Sequence, residues 1–209
     1  MRNLVCLSII LLIPLVQLPE AYAQSSTSRQ AFNTKGLFVN VHASGTGMQV
    51  VEDETDSGAG LGASVGYGIN KTATLYVKGH VSDMSVEDEA TLRRVADENY
   101  DLAHFDLGVR LNKGISQRGA LYGGVALGGV ASSYDARTVA TDAVLRGFSV
   151  TGEAGFMYFV APRVALDIGL NLSAGRHSTL DAEGRTESVE LDTRSARINA
   201  GISIYPFRE

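Results

Sequence analysis

Three histidines are the residues of this sequence whose type and spacing are best suited to chemistry. His42, His80 and His104 each lie in a segment where polar and apolar residues alternate, and imidazole is a common ligand of transition metals such as Zn²⁺ and Cu²⁺. His42 and His80 are each followed two positions later by a serine, Ser44 and Ser82. On an extended strand, a base and a hydroxyl at this spacing share one face, which is one requirement for a serine nucleophile. No spacing makes the imidazoles converge, so we predict polar residues lining a rim, with no metal ligand and no catalytic residue among them.

Six charged residues occupy the polar faces of the same kind of alternating segment. Unpaired charges in a closed interior would be costly, so we predict that opposite charges neutralise one another in a structural polar network. A gated path for protons or small ions is the functional alternative. The predicted network consists of Lys78, Asp106, Arg110, Glu153, Asp167 and Arg197.

The stretch from Val164 to Ala174 shows which kind of element positions these side chains. Every second residue from Val164 to Leu172 is apolar, and the residues between them are small or polar and include Asp167. This period of two predicts a β-strand with one apolar and one polar face. Its length matches the roughly 9–11 residues that a tilted strand needs to cross the hydrocarbon of a bilayer.

Eight segments follow this pattern, and the connections between them alternate between short and long. Short turns at one rim and long loops at the other are typical of an outer-membrane barrel, with the short turns in the periplasm. Because lipid offers no partner for backbone N–H and C=O groups, the first strand must pair with the last. We therefore predict an all-β fold, an eight-stranded antiparallel up-and-down transmembrane β-barrel, whose interior is filled by side chains. The predicted strands cover 36–44, 60–69, 73–82, 103–112, 120–132, 148–160, 164–174 and 196–207, and the predicted long loops cover 45–58, 83–99, 133–145 and 176–193.

The N-terminal residues indicate an exported protein. A positively charged start, an apolar run over 4–18 and a small-x-small triplet predict a secretory signal peptide over 1–23. We predict a flexible segment over 24–35 and the barrel domain over 36–209. Cys6 is the only cysteine, so the predicted mature chain has no disulfide and no cysteine metal site.

Two further features accompany the eight strands. A glycine-rich stretch runs from Gly58 to Tyr67, and the last strand has an aromatic end at Tyr205 and Phe207. Together with the signal peptide, this pattern resembles the small outer-membrane barrels of the OmpA/OmpX type and the opacity type. The resemblance implies a monomer in the cell outer membrane that contacts outer-membrane lipid and lipopolysaccharide and is assembled by the barrel-assembly machinery. No sequence signal indicates a cofactor.

The predicted long loops are acidic, above all over 52–56 and 83–98. Such loops favour contact with a surface ligand or bridging to lipopolysaccharide by divalent cations. Residues 87–98 also have apolar residues at the spacing of a short helical turn. The net charge of −5 and the absence of a basic motif argue against a nucleic-acid partner.

We therefore expect a non-enzymatic outer-membrane barrel that contributes to envelope integrity or to surface interaction through its acidic loops. One alternative is a soluble periplasmic lipocalin-like barrel that binds an apolar ligand. In that case the faces are reversed, with Leu166 and Ile168 lining a cavity while Asp167 and Lys78 face water. Another alternative is an outer-membrane lipid-modifying esterase, since the His/Ser pairs resemble in type those of outer-membrane lipid A deacylases.

Overall fold

Eight β-strands, joined by turns, make up nearly all of the chain that can be described. The computed structural model describes residues 33–51, 54–88, 93–134, 143–182 and 185–207, so the predicted signal peptide lies outside the described residues. No helix in these ranges is long and apolar enough to cross a membrane. The strands are β1 Gly36–Val51, β2 Glu54–Gly68, β3 Ala73–Asp88, β4 Arg93–Gly114, β5 Gly119–Tyr134, β6 Ala143–Ala161, β7 Val164–Ala182 and β8 Arg185–Ile204.

The strands form one closed antiparallel sheet. Each strand pairs with the next along the chain, and β1 also pairs with β8, from Val39 opposite Ile204 to Gln49 opposite Arg194. Closure satisfies the backbone groups that an open sheet edge would leave unpaired in hydrocarbon, at a cost of several kcal/mol each. The predicted fold class is confirmed.

The two faces of the strands have the predicted orientation. On β7 the side chains of Leu166 and Ile168 are 48% and 54% exposed on the outer wall, whereas Asp167 between them is only 9% exposed and points inward. Lys78 on β3 is likewise buried. The lipocalin-like alternative required the reverse arrangement and is wrong, because the apolar side chains cover the outside of the barrel.

The strands are much longer than predicted. They contain 15 to 22 residues, and the 22 residues of β4 extend over about 70 Å along the strand at ~3.3 Å per residue. Most of the residues predicted as long loops therefore continue as paired strands that project beyond the membrane. The helical turn considered over 87–98 is not found at 87–88 and 93–98, which are strand, and the remainder of that segment lies outside the described residues. The alternation of apolar and polar residues ends where the outer face of the barrel no longer contacts lipid, but the main-chain pairing continues beyond that point.

At the rim opposite the projecting strand ends, the strands are joined by tight turns. In the turn between β2 and β3, the Asn70 side-chain oxygen accepts hydrogen bonds from the backbone N–H groups of Thr72 and Ala73, at 2.7 and 2.8 Å. In the turn between β4 and β5, the Ser116 hydroxyl accepts one from the Gly119 N–H at 2.8 Å. Side chains of these two types stabilise turns by replacing a backbone acceptor.

Glycines on the inner face of β2 leave room for large side chains from neighbouring strands. Gly62 lies opposite His42 of β1, and a Cβ atom there would overlap the His42 ring and crowd the Gly79 carbonyl. Gly66 similarly faces the Phe38 ring and the Cβ atom of Tyr76. The glycine-rich stretch seen in the sequence thus allows dense packing inside a narrow barrel.

Candidate functional site

The barrel interior contains a polar network between two apolar layers. We call the layer near the short turns the turn-side layer, and the layer near the projecting hairpins the hairpin-side layer. The turn-side layer consists of Phe38, Tyr76, Ala120, Tyr122, Ala126, Met157, Phe159, Ala165 and Tyr205, and the hairpin-side layer consists of Met48, Met84, Tyr100, Leu102 and Val130, with Tyr134 packed against it.

Glu153 of β6 lies at the centre of the network. Its carboxylate accepts a hydrogen bond from the Lys78 ammonium at 2.9 Å, and from Nε and Nη2 of Arg110 at 2.8 and 3.3 Å. Lys78 also donates to the Asn171 side-chain oxygen at 2.7 Å. All four side chains are buried, so the carboxylate joins β6 to β3 and β4, and Lys78 extends the link to Asn171 of β7. Charge-assisted hydrogen bonds of this kind are stronger than neutral ones.

A second group surrounds Arg197 of β8. Its guanidinium donates to the Ser173 hydroxyl at 2.7 Å and lies 3.7 Å from Oδ2 of Asp106, within ion-pair range but beyond hydrogen-bonding distance. The other Asp106 oxygen accepts a hydrogen bond from the Thr151 hydroxyl at 3.1 Å. Arg197 is 2% exposed and Asp106 fully buried, so water screens this pair very little.

The sixth predicted charged residue, Asp167, lies closer to the short turns, opposite Met157 of the turn-side layer. It accepts a hydrogen bond from the Tyr122 hydroxyl at 3.0 Å. The Arg110 guanidinium stacks over the Tyr122 ring, 4.1 Å from the ring centroid, a favourable cation–π contact. The structure thus places all six predicted residues inside the barrel, in two ion-paired groups and one tyrosine-linked carboxylate.

The predicted rim histidines lie deeper than expected. His42 and His80 stack with parallel rings, their centroids 5.9 Å apart, and Nδ1 of His42 is 2.9 Å from the Asn40 side-chain oxygen. His80 lies directly opposite His104 on the neighbouring strand. The three imidazoles are therefore consecutive neighbours inside the barrel, in contact with polar side chains.

His177 belongs to the same interior, and the sequence reasoning missed it. It is fully buried on β7, at a position predicted to be loop, and neither ring nitrogen has a hydrogen-bond partner in the described structure. A continued count of alternate residues from Asp167 would have reached Gly175 and then His177, and would have identified this inward position. All four histidines of the chain consequently line the barrel.

The geometry around the histidines differs from that of a metal centre or a hydrolase. Within the described ranges, no three His, Cys, Asp or Glu side chains are placed to hold a metal ion. Ser44 does contact His80, at 2.5 Å between Oγ and Nε2. However, Nδ1 of His80 has no hydrogen-bond partner in the described part of the chain, so the ring lacks the orienting third group that activates a serine.

Charged residues on the outer wall mark the edge of the apolar belt on the hairpin side, which we call its upper edge. Asp83 and Asp101 lie opposite each other on β3 and β4, and both are exposed. On the other side of the barrel, Arg176 donates to Asp192 at 2.8 Å. Above this edge, the buried Tyr100 hydroxyl donates to Oδ2 of Asp56 at 2.7 Å. Burial, and then the Asp56 carboxylate, raise the pKa of this phenol.

These observations define a transmembrane β-barrel: a closed sheet with an apolar outer wall and a polar interior filled by side chains. The sequence model of the family described as outer membrane protein beta-barrel domain matches residues 8–203. The chain belongs to this family, and its location is the cell outer membrane.

Solved structures share the fold at low sequence identity. Neisserial surface protein A is 17% identical, with a TM-score of 0.62 over 82% of this chain and 97% of that one. OprG from Pseudomonas aeruginosa is 10% identical, with a TM-score of 0.53 over 84% and 97%. The attachment invasion locus protein Ail of Yersinia pestis is 11% identical, with a TM-score of 0.51 over 81% and 99%. No curated protein matches the chain in sequence.

Proposed function

We propose that this outer-membrane barrel is a non-enzymatic anchor that presents projecting β-hairpins as an acidic interaction surface at the cell exterior. The observation that carries the proposal is the continuation of paired strands beyond the apolar belt. On the β7–β8 hairpin, the residues beyond Arg176 include the exposed side chains of Glu187, Glu190 and Asp192. A paired hairpin holds such charges in a fixed arrangement, as recognition of a partner requires.

The filled interior supports an anchoring role rather than a conducting one. The Glu153 contacts join three strands, Lys78 extends the network to a fourth through Asn171, and apolar layers lie on both sides of it. An ion crossing the barrel would have to displace these buried groups. The network itself therefore has a structural role in this proposal, and the ion-path alternative is not favoured.

An esterase role is not favoured either. The Ser44–His80 contact lies on the inner face of the barrel, away from the lipid boundary where an acyl substrate would be found. Among the described residues Nδ1 of His80 has no hydrogen-bond partner that could orient the ring, which points the same way.

The proposed partners follow from the outer wall. We place lipopolysaccharide at the upper edge of the apolar belt, where exposed Arg146, Arg176 and Arg194 can contact its phosphates, and where divalent cations can bridge to Asp83 and Asp101. The closed sheet leaves no unpaired edge strand for a second copy, which supports a monomer. Insertion by the barrel-assembly machinery belongs to the same proposal.

Acidic hairpins fit a basic polypeptide surface, so the test uses poly-L-lysine as the probe. We expect the protein in neutral-lipid nanodiscs to bind it, and we expect the variant Glu187→Gln/Glu190→Gln/Asp192→Asn to bind several-fold more weakly. The matched control, Lys71→Gln/Lys113→Gln, changes the opposite rim and should not weaken binding. Equal binding by the hairpin variant and the wild type would refute the interaction surface, and single-channel steps in a planar bilayer would refute the anchor.

A further inference from the structure

The short-turn rim carries cations on every side of the barrel. Lys71 lies between β2 and β3, Lys113 and Arg118 lie on either side of the turn from β4 to β5, Arg163 lies between β6 and β7, and Lys35 precedes β1. All five side chains are exposed. We call these residues the basic collar.

No carboxylate balances the basic collar in the described part of this rim. The described residues of the turns, of the strand ends beside them and of the segment around Lys35 include no exposed aspartate or glutamate. None of the described ion pairs involves a collar residue. The opposite end of the barrel is rich in acidic residues, so the two rims have opposite charge.

Apolar side chains are exposed beside the collar cations. Ile69 and Ile115, in the same turns as Lys71 and Lys113, are 54% and 56% exposed, and Phe207 is 74% exposed. Large apolar side chains at the tips of turns are unfavourable in bulk water. An apolar tip next to a long cationic side chain is instead typical of a residue pair at the level of lipid headgroups.

We infer that the basic collar binds the phosphate groups of anionic phospholipids in the periplasmic leaflet. The closed strand order spreads the collar turns around the whole circumference, where annular lipids lie, rather than grouping them in one patch. Lysine ammonium and arginine guanidinium groups are the natural partners of phosphate. Peptidoglycan is also anionic, but a hydrated polymer gives no reason for the exposed isoleucines and phenylalanine.

The binding also contributes to the orientation of the barrel. Cations held at the periplasmic leaflet oppose movement of that rim into the hydrocarbon, where each charge would be desolvated. The acidic hairpins occupy the opposite side, so the inverted orientation would lose the collar contacts.

The test measures lipid selectivity with spin-labelled lipids. The full protein is reconstituted in phosphatidylcholine with a trace of spin-labelled phosphatidylglycerol or phosphatidylcholine, and the motionally restricted fraction gives the relative association constant. We expect the wild type to select phosphatidylglycerol about fivefold at low salt, and to lose most of this selectivity in about 0.5 M salt. The collar variant Lys71→Gln/Lys113→Gln/Arg118→Gln/Arg163→Gln should approach no selectivity.

The control variant Arg185→Gln removes an exposed cation at the far end of the β7–β8 hairpin, away from the apolar belt, and should retain the selectivity. Heat-dependent gel mobility shows whether each variant folds, and if the fourfold collar variant does not, the milder variant Lys71→Gln/Lys113→Gln should lose about half of the selectivity. Unchanged selectivity in the folded collar variant, or a wild type without selectivity, overturns the inference. The inference is also overturned if the collar variant no longer co-sediments with peptidoglycan sacculi but keeps its lipid selectivity, because the collar would then bind peptidoglycan. The lipid assay does not involve poly-L-lysine binding, so either proposal can fail alone.

Discussion

Replacing Glu153 by glutamine should destabilise the barrel more than any other isosteric change in its interior. The substitution keeps the shape of the side chain but removes the negative charge that faces Lys78 and Arg110 at 2.9 and 2.8 Å. Only one amide oxygen remains to accept, and the new NH₂ group faces cations.

The magnitude follows from the burial of all three partners. Removing one member of a buried ion pair costs about 3–5 kcal/mol, because an uncompensated charge stays buried. Here two cations lose their common partner, so we expect a value in the upper half of that range. Replacing Lys78 by methionine in the same chain removes one of these cations and should recover about half of the loss.

The assay is urea unfolding in lipid vesicles, followed by heat-dependent gel mobility. The matched control is Glu187→Gln, on an exposed part of β8, which should leave the unfolding midpoint unchanged because exposed charges contribute little. Two results would contradict this prediction. The free energy of unfolding of Glu153→Gln could lie within about 1 kcal/mol of the wild-type value, or adding Lys78→Met could lower it further. Either result would mean that water screens the network in the interior.

Three other predictions test separate parts of the structure. Gly62→Ala should lower the free energy of unfolding by about 1–3 kcal/mol, since a methyl group would overlap the His42 ring; an unchanged urea midpoint would mean that the interior has spare room. Ile168→Arg on the outer wall should cost about 2–4 kcal/mol, whereas Leu191→Arg on the projecting hairpin should not destabilise the folded barrel; similar losses at both sites would contradict the placement of the belt. Burial and the Asp56 carboxylate raise the pKa of the Tyr100 phenol. The stabilisation from the neutral phenol is therefore present below about pH 10 and declines as the pH rises further. Tyr100→Phe should reduce this alkaline loss of stability in pH-dependent unfolding, and it should cost about 0.5–1.5 kcal/mol at neutral pH.

The sequence was sufficient for the fold because lipid imposes a strict pattern. Wherever the outer face contacts hydrocarbon, alternate residues must be apolar, and β7 from Val164 to Leu172 shows this without exception. Beyond Arg176 the outer face of the β7–β8 hairpin no longer contacts lipid, so alternate residues need not be apolar and the alternation disappears, while the backbone pairing persists. That is why the strand ends, and with them His177, were missed.

The members of the network could be predicted, but their partners could not. Lys78 and Asp106 lie directly opposite each other on adjacent strands, and register alone would suggest that they pair. Lys78 instead contacts Glu153 of β6, while Asp106 lies near Arg197. Contacts across a barrel depend on its closure and on the stagger of its strands, which no single strand specifies.

In the orientation proposed above, the projecting hairpins determine what an antibody can recognise on the cell. Because β7 and β8 remain paired from Arg176 opposite Asp192 to Ala182 opposite Arg185, the exterior of the protein presents side chains from two strands side by side. Residues that are distant in sequence then form one epitope. Sera raised against linear peptides from this region would therefore recognise the denatured chain better than the intact bacterium.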